Sequence, residues 1–202
     1  MMRASVGLCG MLAIAACTPP APSQSVTLAD GAILATPPAG YCVDDLASQP
    51  RRDFAVIAPC VTLGGTQDAP AVIGMATIQV GPDNSGSIAQ NEIALRDFLI
   101  TDAGAGLLSQ QGDASDVTIL STQAFNGQVM VHFADAGAPP IAGLQAEEWR
   151  AFRDIDGRLV TIGVRGLSAA PLRDGPGAGL LKLVLAGVQS TSDDTDEDNP
   201  DA

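Results

Sequence analysis

Histidine, lysine and aromatic side chains are nearly missing from this chain. Its 202 residues include one histidine, one tryptophan, one tyrosine and five phenylalanines, and Lys182 is the sole lysine. Each scarcity excludes something. A single histidine, His132, and a few distant cysteines do not supply the close-spaced ligand sets of a zinc site, so no metal and no cofactor is expected. The Gly-rich stretches at 64–66, 104–106 and 175–179 lack the G-x-x-x-x-G-K-[ST] pattern that cradles phosphates. So few aromatic faces make no platform for stacking bases. Basic residues are also scarce, 10 against 23 acidic ones for a net charge of −13. That balance argues against nucleic acid and against docking on anionic lipid headgroups.

The N-terminus is the most informative stretch present. Arg3 precedes an uncharged apolar run, Ala4 to Ala16, shorter than the roughly 20 residues that span a bilayer. A charged start, a short apolar stretch and small residues at its end are the marks of a secretory signal. Ile14-Ala15-Ala16-Cys17 resembles the lipobox of bacterial lipoproteins. The resemblance implies cleavage before Cys17, lipidation of that cysteine and anchoring to the membrane through its acyl chains. Thr18, rather than Asp, after the cysteine implies the outer membrane, facing the periplasm. The expected organisation is a signal peptide (1–16), a lipidated Cys and Pro-rich stalk (17–25), one domain (26–189) and an acidic disordered tail (190–202). The tail holds Asp193, Asp194, Asp196, Glu197, Asp198 and Asp201 and no basic residue.

Between stalk and tail, turn signals separate apolar runs. Asp30-Gly31, Asn126-Gly127 and Asp156-Gly157 each suit a type I′ hairpin turn, whose two central residues need positive φ. FAVIAPCVTL (54–63) and PAVIGMATIQV (70–80) read as two more strands. A capping box at Ser87 predicts a helix over about 88–101, with a further short turn through GLLSQQ. An apolar stripe predicts a second helix over 179–189, with Gly175-Pro176-Gly177 as a loop before it. The turns set register, placing Trp149 opposite Val164, Ala151 opposite Ile162 and His132 opposite Ser121. The fold class is therefore α+β, a mainly antiparallel sheet built from hairpins and packed with two main helices. This element order resembles the PsbP-like α/β/α sandwich, which implies a binding or assembly role and carries over no catalytic residue.

Three sets of residues are candidates for chemistry. If Cys9 leaves with the signal and Cys17 takes lipid, Cys42 and Cys60 remain, and an oxidising compartment pairs them. Their spacing is far from the C-x-x-C of oxidoreductases. His132, with Ser121 and Asp116 or Asp135, has the composition of a hydrolase triad, but no G-x-S-x-G elbow accompanies it. It is expected as a half-exposed sheet residue. Asp154-Ile155-Asp156-Gly157 fails as a calcium loop, and Glu147-Glu148 reads as solvated charge. Trp149 with Arg150, Arg153, Arg158 and Arg165 forms the candidate partner surface, since Trp and Arg anchor interfaces. The expected function is that of a non-enzymatic, membrane-anchored periplasmic lipoprotein that binds or assembles a protein partner in the cell envelope. A carrier or sensor of a small apolar ligand, held in a pocket between sheet and helix, is the alternative, and a hydrolase using His132 a remote one.

Overall fold

The computed structural model describes residues 21–192; the segment expected to be a signal, Cys17 and the acids from Asp193 onward lie outside the described residues. β1 (Val26–Leu28) pairs antiparallel with β2 (Ile33–Ala35) across the Asp30-Gly31 turn. β3 (Tyr41–Val43), β4 (Phe54–Pro59) and β5 (Met75–Val80) follow. β3 is an addition to the expected set, because three residues are too few to display a period.

Two helices then replace the one expected over 88–101. Ser85–Ile88 form only a 3-10 turn, so the capping box at Ser87 does not open the helix. α1 (Glu92–Leu99) is capped instead by Asn91, whose side chain accepts from the Ala94 amide at 3.0 Å. α2 (Asp102–Leu108) restarts at Thr101, which accepts from the Gly104 amide at 3.2 Å. Both residue types stabilise helix starts in this way.

β6 (Val117–Phe125), β7 (Gln128–Asp135), β8 (Glu147–Ile155) and β9 (Arg158–Arg165) form the two long hairpins. Asn126 and Gly127 have φ of 53° and 71°, and Asp156 and Gly157 have 52° and 74°, as their turn type demands. The register places Ser121 opposite His132, Trp149 opposite Val164 and Ala151 opposite Ile162.

α3 (Asp174–Ala186) starts earlier than the stripe predicts. Pro176 does not end it, because amides in the first turn have no partner within the helix and the fixed φ of proline suits that position. The helix stops at Gly187, where a Cβ would fall 2.1 Å from the Thr36 carbonyl oxygen. The chain then extends as β10 (Val188–Ser190) along β2, and the Thr191 amide donates to the Ala32 carbonyl at 3.0 Å. Ser190 and Thr191, expected in the tail, thus complete a sheet.

Among the described residues the result is an α+β fold: a seven-stranded antiparallel sheet in the order β3-β4-β5-β9-β8-β7-β6, a small sheet β1-β2-β10, and three helices. Strand alternation sends side chains into two cores. On one face Ala76, Ile78, Trp149, Ala151, Ile162 and Val164 pack with Leu180, Leu181, Val184 and Leu185 of α3 and with Leu28 and Ile33 of the small sheet. On the other, Val129, Val131 and Phe133 meet Leu95, Leu99 and Leu108 of α1 and α2. No helix among the described residues is long and apolar enough to cross a membrane.

Candidate functional site

β7 points Val129, Val131 and Phe133 into the α1/α2 core, so alternation turns His132 to the α3 side. It is not half-exposed there: only 6% of its surface is accessible. The cause is the seat of α3. A Cβ at Gly177 would lie 2.5 Å from carbon atoms of the Trp149 ring, so the first turn of α3 lies hard against the indole. His132, opposite Trp149 across β7 and β8, stacks on the same ring system with centroids 4.2 Å apart and planes 12° from parallel. Its Nε2 lies 3.1 Å from Glu147 Oε2 and its Nδ1 lies 3.8 Å from Asp174 Oδ1. Beside this cluster opens a cleft of about 490 Å³ whose wall includes Leu120, Ser121 and Gln123.

The triad acids expected from the sequence are placed elsewhere. Asp135 is buried and spends its carboxylate on two loop amides, Gln110 at 2.8 Å and Gly137 at 2.9 Å. Asp116 precedes β6, at the end of the strand pair remote from the Asn126-Gly127 turn. Ser121 is opposite His132 as expected, yet the ring nitrogens face Glu147 and Asp174. Glu147 was within reach of register reasoning, being two residues before Trp149 on the same face. Asp174 was not, because the sequence pattern starts the helix after it.

Cys42 and Cys60 form a disulfide with Cα atoms 4.9 Å apart. It joins β3 to the turn that leaves β4, and both cysteines are fully buried. Its place is structural, between two adjacent strands.

Trp149 and the four arginines do not share one surface. Trp149 is buried beneath α3, with Arg153 farther along the same face of β8. Arg158, after the last turn, pairs with Asp83. Arg150 and Arg165 project to the opposite face and converge on Glu148. Arg150 Nε lies 2.6 Å from Oε1, while Arg165 Nε and Nη2 lie 2.9 Å and 2.7 Å from Oε2. Arg165 also donates to the carbonyls of Gln145 and Ala146 at 3.0 Å and 3.1 Å. Glu148 and Arg165 are each only 4% exposed. The Glu147-Glu148 pair is therefore not simply solvated: alternation delivers one carboxylate to His132 and the other to this triad. Gly163 makes the room, since a Cβ there would meet Glu148 Oε1 at 2.6 Å.

The triad borders a second cleft, of about 250 Å³, lined by Phe54, Met75, Thr77, Leu144 and Thr161. α1 and α2 pack on β6 and β7, and this cleft lies on the same side of the sheet over β4, β5 and β9. Two guanidinium groups share one carboxylate beside it, which leaves a net positive centre next to an apolar floor. The space between α3 and the sheet is filled by Leu180, Leu181, Val184 and Leu185, all but buried.

No known protein family and no curated protein sequence matches the chain. Solved structures do match it. A point mutant of the protein Mog1 aligns with a TM-score of 0.50 at 12% identity, covering 84% of this chain and 97% of its own. The Ran-binding protein Mog1p of Saccharomyces cerevisiae aligns with a TM-score of 0.49 at 12% identity, covering 82% and 94%. Cyanobacterial PsbP (CyanoP) from Synechocystis aligns with a TM-score of 0.42 at 13% identity, covering 91% and 98%. At such identities the likeness to Mog1 is one of fold.

Proposed function

We propose that this chain is a non-enzymatic binding module of the bacterial cell envelope, held by acyl chains on Cys17 at the periplasmic face of the outer membrane. It takes a protein partner in the cleft beside Glu148. The observation that carries this reading is the cleft over β4, β5 and β9, where Phe54 and Met75 stand partly exposed next to the buried Glu148–Arg165 pair and the half-buried Arg150. An apolar side chain flanked by a carboxylate fits it: the first displaces water from the floor, and the second meets the excess guanidinium charge. The anchor is supported by the apolar run that gives way to Pro-rich sequence at Cys17. Of the stalk expected over 17–25, Ser23 lies against the domain instead: the Val43 amide donates to its carbonyl at 2.8 Å and its hydroxyl donates to Asp45 at 2.7 Å.

The test places a photo-cross-linking residue at Gln79 or Thr161, in the cleft, and at exposed Lys182 on α3 for comparison, in otherwise full-length chains in intact cells. A discrete cross-linked product from the cleft positions that Lys182 does not yield supports the reading. The same background from all three positions overturns it. Cys17→Ser separately moves the protein from the membrane fraction to the soluble fraction if the lipid anchor holds it.

A further inference from the structure

The cluster around His132 lies on the opposite side of the sheet from the proposed partner cleft, and its chemistry is different. A neutral imidazole has one N–H and one lone pair, whereas ionised carboxylates only accept hydrogen bonds. His132 faces a carboxylate at each nitrogen, Glu147 Oε2 at 3.1 Å and Asp174 Oδ1 at 3.8 Å. One nitrogen therefore directs its lone pair at an anion unless a positive centre stands there. The contact to Glu147 has hydrogen-bond length and the one to Asp174 does not. The surroundings prevent the ring from turning away, because it is 94% enclosed and stacked on Trp149, which Gly177 and α3 hold from the helix side.

We propose that His132, Glu147 and Asp174 form a binding site for a divalent first-row transition cation of the zinc or copper type. One ligand atom from each residue lies within 4.8 Å of the other two. Such a cation sits about 2.0–2.2 Å from an imidazole nitrogen or a carboxylate oxygen, which sets its ligand atoms about 3–4 Å apart. The site closes by a small inward turn of Asp174, whose side chain is 90% exposed and unhindered. Imidazole with two carboxylates suits these ions, whereas a harder ion such as calcium prefers oxygen alone. The adjoining cleft beside Ser121 leaves the remaining coordination positions open to water or to a ligand.

Trp149 is the sole tryptophan, and it stacks on the proposed ligand, so its fluorescence reports on this site without interference from metal held by the acidic tail. Cu2+ is titrated into the full-length chain, followed by Zn2+ in competition. The expected result is saturable quenching that Zn2+ reverses. The double variant Glu147→Gln/Asp174→Asn, altered at the two more exposed ligands, should shift the midpoint at least tenfold while its circular dichroism and melting stay those of the parent. His132→Gln, if folded by the same criteria, should abolish the quenching. Absence of quenching, or equal quenching in parent and double variant, overturns the site and leaves a protonated imidazole, or an adventitious ion only, as the explanation of the cluster.

Discussion

Tyr41 is enclosed where β3 meets the segment around Val72, and its hydroxyl donates to the Val72 carbonyl. Burial disfavours the phenolate and, against a smaller opposing pull from the Gly74 backbone, pushes the phenol up from 10 to about 12. Between these values the folded chain keeps a proton that the unfolded chain has released. The stability Tyr41 contributes is thus intact below pH 10 and is lost as pH rises from 10 through about 12. Because Tyr41 is the sole tyrosine, tyrosinate absorbance should titrate near 12 in the folded protein and near 10 in urea. A native midpoint near 10 would show that the phenol reaches water. Nothing in the sequence marks this residue, because its burial comes from chain segments about thirty positions away. The two faces of Glu147 and Glu148 were legible from alternation alone, but not that one of them would be buried between two arginines.

The position of α3 turns on two glycines with opposite surroundings. Gly177 lies against the Trp149 ring, while nothing stands within 4 Å of where a Cβ at Gly175 would be. Gly177→Ala should therefore push the helix off its seat and destabilise the fold by about 1–3 kcal/mol. Gly175→Ala should stabilise it by up to about 1 kcal/mol through helix propensity. Urea denaturation of both variants checks the pair, and equal effects would mean the helix is not seated as described. The hairpins were legible because Asn-Gly and Asp-Gly act within two residues of the turn they make. The helix boundaries were not. Ser87 and Asn91 both look like caps, and Gly-Pro-Gly reads as a loop unless its proline falls in a first turn. β3 and β10 exist only through their partners, β4 and β2.

For the molecule as a whole, the disulfide closes the loop from β3 to the end of β4, at the edge of the large sheet. Shortening the unfolded chain's freedom over 18 residues is worth about 3 kcal/mol. Reduction should lower the melting temperature by several degrees, and unchanged melting with and without reductant would remove the bond from the account. The sequence by itself determined the pairing register of the two long hairpins from their turns, and with it which side chains share a face of the sheet. The exception lies past Ser121, where a bulge shifts β6 and puts Ile119 rather than Leu120 opposite Phe133. It also limited the cysteine pairing to Cys42 and Cys60, given the lipid-anchor reading of Cys17. Only the tertiary structure decided what covers each face. α3 descends on Trp149 and brings Asp174 to His132, while α1 and α2 stop short of β5 and β9 and leave the Glu148 cleft open. The physical reason is one of range. Alternation and turn conformation are set by steric and hydrogen-bonding rules acting over a few residues, whereas the placement of a helix depends on apolar area summed from segments far apart in the chain, and on the few positions where a missing Cβ allows close approach.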